Sequence, residues 1–181
     1  MTNTEIRNVL VNRLRENLPE IRKLAGWSGE ELGGMLGLSR QSISKLETGL
    51  STITVAQYIA IRHLLDAWMN LHPENKTLPR VITLLLDDRR IGGAEYTKLQ
   101  RVVKTIAATA TGGAEQAAVD VIAKVLLDEW EGPAREYCHA KLREPMIIEK
   151  VGITADTEPG DWTEIILSGR KMKNLETQQG D

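Results

Sequence analysis

SGEELGGMLGLSRQSISKLETG, residues 28–49, decides how this chain is read. Ser28 is placed to cap a helix, and Glu31 sits three residues later, where its carboxylate reaches back to the Ser28 amide. Trp27 before the cap and Leu32 at the fourth helical position form a hydrophobic staple. Gly37 ends that helix, because glycine adopts positive φ without steric cost. Ser39 then caps a second short helix over 40–47, and Gly49 closes it. Leu32, Ile43 and Leu46 must meet where the two helices cross, with Leu36 and Leu38 below them. Gly33 stands where the second helix comes closest, so a larger side chain there would push it away. Two short helices around a glycine-containing turn make a helix-turn-helix unit.

The flanking sequence extends this into a small helical bundle. Residues 4–16 carry Ile6, Val9, Leu10, Arg13 and Leu14 at helical spacing. Asn17 with Glu20 reads as a capping box and Pro19 suits a first helical turn, which predicts a new helix from about Leu18 to Gly26. Thr54 with Gln57 opens a longer helix through about Asn70. HPENKTLP, 72–79, is polar and bracketed by prolines and reads as a linker. The expected organisation is therefore an N-terminal helix-turn-helix domain over 1–71, a linker over 72–79 and a helical region over 80–181.

In that last region Gly92-Gly93 and Gly112-Gly113 punctuate the chain. Tyr96, Leu99, Val103, Ile106 and Ala110 alternate by three and four, a short a/d-like stripe that serves as core or as a dimer seam. Residues 114–130 place Ala118, Val121, Ile122, Val125 and Leu126 on one face. Pro133 is expected to start another short helix and Pro145 to close it. MIIEKV (146–151) and WTEIIL (162–167) are two β-like runs around a turn-rich middle and allow a small β-hairpin. The tail from Lys173 is expected to be loose. The fold class is mainly α.

Bulk properties narrow the function. The 181 residues are 41% apolar, enough for a packed core. With no Phe, that core rests on aliphatic side chains and four Trp. Net charge is −2, and residues 1–50 hold seven Lys/Arg against six Asp/Glu, so any nucleic-acid contact must be local and geometric. The lone Cys138 gives no disulfide framework and fits a reducing compartment. No apolar run resembles a signal peptide or a membrane span, and the expected location is the cytoplasm.

Read together, IRKLAGWSGEELGGMLGLSRQSISKLETG (21–49) resembles the lambda-repressor/Cro-like (XRE) DNA-binding domain. The marks are Glu31-Leu32, the small Gly33, Gly37, the polar SRQSIS run, Ile43 and the Leu46-Glu47-x-Gly49 ending. The helix from Thr54 fits the family's fourth helix, and the likeness covers about residues 18–66. It implies that helix 40–48 enters the major groove of a double-stranded operator. Ile43 and Leu46 mark the buried side, so at 100° per residue Gln41, Ser44, Lys45 and Thr48 point outward, with Arg40 on the flank. Arg or Lys can pair with guanine O6/N7 and Gln with adenine N6/N7. The amides of Ser28 or Gly29, at a helix N-terminus, can hold a phosphate. Gly29 replaces a polar residue frequent in relatives, and Leu50-Ser51-Thr52 lacks the usual Lys or Arg. Phosphate anchoring is therefore weaker than usual, and affinity is expected to lean on dimerisation through residues 94–130.

The expected protein is a dimeric transcriptional regulator, most simply a repressor, with a partner protein or small-molecule effector acting on its C-terminal region. The competing reading is an antitoxin-type module that regulates its own operon and neutralises a partner through its C-terminal half. An enzyme carrying this domain as an appendage would need a nucleophile, base and orienting group, and no such set converges. Cys138-His139, His63 and His72 have no ligand spacing, so no metal or cofactor is expected. Asp87-Asp88-Arg89-Arg90 reads as a charged helix end, and Arg170, Lys171 and Lys173 as a solvated tail.

Overall fold

The computed structural model describes the backbone of residues 2–142 and side chains through Ala134. The β-like runs 146–151 and 162–167, the basic tail, Pro145 and the side chains of Cys138 and His139 lie outside the described residues. Seven α-helices and no strand occur among those described: α1 Asn3–Leu24, α2 Gly29–Leu36, α3 Arg40–Glu47, α4 Val55–Leu71, α5 Thr77–Ile82, α6 Gly93–Thr111 and α7 Gln116–Leu142. The fold is mainly α, as expected. A π-helical turn, Thr83–Asp87, follows α5. No helix among the described residues is long and apolar enough to cross a membrane.

The first helix departs from the expectation. Residues 3–24 form one helix with Pro19 inside it, not two helices meeting at Asn17. The start signal is Thr2, whose hydroxyl accepts the Glu5 N–H while the Glu5 carboxylate accepts the Thr2 N–H. An interior proline costs about 3 kcal/mol. Against that, Leu14, Leu18, Ile21 and Leu24 form one buried stripe through the proline. Each such side chain contributes about 1.5–3 kcal/mol on burial, so the uninterrupted helix wins. Asn17 is buried as well, and caps nothing. Its Nδ2 donates to the Tyr96 hydroxyl at 2.7 Å and its Oδ1 accepts from Gln100 Nε2 at 3.2 Å. Pro133 behaves in the same way, lying within α7 without starting a new helix.

α1 is the element that the rest of this compact unit, residues 1–130, packs around. Arg13 reaches from it to the carbonyls of Leu85, Asp88 and Ile91, and its guanidinium lies 4.6 Å from the centre of the Tyr96 ring. The compact unit runs past residues 72–79, read from sequence as a linker. Asn75, Thr77 and Leu78 in that stretch are buried, and Asn75 Oδ1 accepts the Leu78 N–H at 2.9 Å.

The α6 stripe is core: Leu99, Val103 and Ile106 are all but fully buried. On α7 the buried side is Val119, Ala123, Leu127 and Trp130. The face read from sequence, Val121, Ile122 and Val125, points outward and is well exposed. Both sets recur at helical spacing, so periodicity could not choose between them.

Candidate nucleic-acid interface

The helix-turn-helix forms as its caps dictate. Ser28 N–H donates to Glu31 Oε2 at 2.6 Å, and the Glu31 N–H returns to Ser28 Oγ at 3.1 Å. Gly37 ends α2 at φ 68°, and Ser39 Oγ accepts the Ser42 N–H to start α3. A Cβ on Gly33 would lie 2.5 Å from the Leu38 carbonyl oxygen and 3.4 Å from Ile43 Cγ1, so only glycine admits this approach without opening the turn. Leu32, Ile43 and Leu46 are buried in the wedge.

α3 is also held from behind by an ion pair. Arg22 Nε on α1 lies 2.6 Å from Glu47 Oε1, with each side chain about 15% exposed, and Arg22 Nη1 donates to the Trp27 carbonyl at 2.8 Å. These charges are 25 residues apart, and nothing in their local sequence announces the pairing. The pair joins the last residue of α3 to the end of α1 and fixes how α3 is turned about its axis.

With the inner face locked, the outer face is defined. Arg40, Gln41, Ser44, Lys45 and Thr48 are all exposed. The side chains of Arg40, Gln41 and Lys45 have no hydrogen bond or ion pair among the described residues, so their donors are available to a ligand. The Thr48 hydroxyl donates to the Ser44 carbonyl at 2.8 Å, which uses its proton and leaves its oxygen able to accept. The stem of Arg40 lies over Gly29, where a Cβ would be 3.7 Å from Arg40 Cγ.

The two residues expected to hold a phosphate differ. The Ser28 amide is already taken by Glu31, so of the pair only Gly29 offers an amide N–H. Glu31 is held below the usual carboxylate range, first by the hydrogen bond from the Ser28 backbone and then by that with its hydroxyl. α2 therefore opens with a charged Glu31 beside an exposed Glu30. The notch between α2 and α3, about 470 Å³, is bordered by Arg22, Gly29, Glu30, Arg40, Ser44 and Glu47.

The other side of α3 is different. Gly49 leaves it at φ 76°, and Arg15 Nη1 lies where a Gly49 Cβ would be only 2.7 Å away. The loop that lacks a cation of its own thus has one beside it, contributed by α1.

No curated protein and no solved structure gives a significant match to the chain. The family model described as "Helix-turn-helix" matches residues 20–66, which span the end of α1, the α2–α3 unit and most of α4. Residues 20–66 therefore match a helix-turn-helix family, which supports the lambda-repressor-like resemblance of this segment.

Proposed function

We propose that this protein is a sequence-specific transcriptional regulator that binds double-stranded DNA as a dimer and reads the major groove with α3. The observation that carries the reading is the outer face of α3: Arg40, Gln41 and Lys45 are exposed and unengaged, while Ile43, Leu46 and the Arg22–Glu47 pair hold the opposite side. Ser44 and Thr48 complete the reading face, and the Gly29 amide takes a phosphate in place of Ser28. Repression by occupying an operator is the simplest consequence, and the cytoplasm is where it would act.

The test is binding to duplex DNA from the gene's own upstream region, titrated with salt. A steep salt slope and discrimination against a scrambled duplex are expected. Gln41→Ala or Lys45→Ala should cost about 1–3 kcal/mol of cognate affinity with the melting temperature unchanged. Equal binding by both variants sinks the assigned face.

The dimer seam is placed on α7. The α6 stripe is spent inside the chain, whereas Val121, Ile122 and Val125 are exposed and continue into an apolar groove of about 410 Å³ against α5. Two copies would then present α3 to half-sites about 34 Å apart. Val125→Asp should give monomers in solution and weaken operator binding while each domain stays folded. The same apolar face favours a second reading, in which it takes a partner protein as an antitoxin does. A wild-type chain that is monomeric alone and recovered with a small co-expressed partner would decide for it.

A further inference from the structure

Duplex DNA docked on α3 must also be held by its backbone, and the two flanks of that helix differ in what they offer. On the α2 side the Gly29 amide lies in a first turn that also carries the carboxylates of Glu30 and Glu31. On the other side α1, which begins well before the matched residues 20–66, lays Arg7, Asn8, Asn12 and Arg15 beside Thr52 and Thr54, around a groove of about 410 Å³. Asn8 and Arg15 are seven residues apart and so nearly in line, with Arg7 one step to the side. The rise from residue 7 to 15 is about 12 Å, long enough to meet more than one phosphate of a strand whose charges recur about every 3.4 Å along the duplex axis. Arg7 has no ion pair among the described residues. Arg15 has a loose one, with Glu16 at 3.6 Å, and its guanidinium touches Gly49, the residue after the end of the reading face.

We infer that Arg7 and Arg15, with Asn8 and Asn12, form a second DNA contact that grips the sugar-phosphate backbone beside the 49–54 loop, so that α1 supplies the cations this loop lacks. Arginine and asparagine side chains are common phosphate partners, and such contacts fix register without reading sequence. The inference rests on the DNA-reading role proposed for α3.

The experiment compares wild type, Arg7→Gln/Arg15→Gln and Arg15→Lys on the upstream duplex and on a scrambled duplex across a salt series. Two lost phosphate contacts should lower the slope of log K against log salt by about 1.8. Binding to both duplexes should weaken alike, roughly three- to tenfold, with the ratio between them and the melting temperature unchanged. Arg15→Lys should keep most of the slope. A double variant with wild-type affinity and slope overturns the second contact and leaves the α3 reading standing. Loss of the cognate-to-scrambled ratio in the double variant also overturns it, because the arginines would then act on base reading. Wild-type protein that binds neither duplex brings down both.

Discussion

The two flanks of α3 are built for different work. On the α2 side the protein satisfies itself: Glu31 closes its own capping box, and Glu47 is paired with Arg22 in a largely buried contact. The first turn of α2 already carries two of the protein's own carboxylates, Glu30 and Glu31, which weakens the hold of the Gly29 amide on a phosphate without removing it. On the α1 side Arg7 is exposed without an ion pair among the described residues, and Arg15, partly exposed, has only a loose one with Glu16, both beside a loop that carries no charge. One flank sets the angle of the reading helix, and the other is left free to meet a polyanion.

Four substitutions would break or sharpen this contrast. Glu47→Ala should have the largest effect, destabilising the fold by about 3 kcal/mol, because it strands the Arg22 guanidinium in a mostly buried site. Urea unfolding measures this, and an unmoved midpoint would remove the structural role of that flank. Gly49→Ala should cost about 1–2 kcal/mol through its left-handed backbone and also displace Arg15. Duplex affinity should then fall without change in sequence preference, which fluorescence anisotropy on cognate and scrambled DNA would read.

Glu30→Gln should tighten binding to any duplex about two- to threefold at low salt and have no effect near 1 M, where exposed charges are screened. A salt-independent change would mean that Glu30 acts by something other than its charge. Glu31→Gln is the smallest. The folded protein holds the Glu31 carboxylate in its charged form more firmly than the unfolded chain does. Its contribution is therefore complete above the ordinary carboxylate pKa near 4.5 and is lost as pH falls through the lower folded value. The variant should melt slightly below wild type above pH 6, and the gap should close as pH falls through the lower folded value of Glu31.

Local chemistry was legible in the sequence. Ser28 with Glu31, Ser39, Gly37, Gly49 and Thr54 with Gln57 mark the helix ends within a few residues of one another, and the structure places each as its local rule requires. Ile43 and Leu46 likewise gave the rotation of α3. What failed were judgements that depended on distant packing. Pro19 and Pro133 read as helix starts, yet at Pro19 the buried stripe from Leu14 to Leu24 outweighs the lost hydrogen bond. The apolar face of α7 was inverted because the helix carries two such faces and only the tertiary fold says which is covered. Arg22–Glu47 and Arg15–Gly49 join residues 25 and 34 positions apart in sequence, and no local pattern encodes either.

The unbroken α1 has a consequence for cooperativity. Its 22 residues make a rod roughly 33 Å long, with the α2–α3 unit held at one end and α6 secured along it by Asn17 and Arg13. Neither end can come apart without uncovering the same stripe of leucines. The unit should therefore melt in a single transition, and amides in α6 that open only on global unfolding should exchange more slowly once an operator is bound on α3.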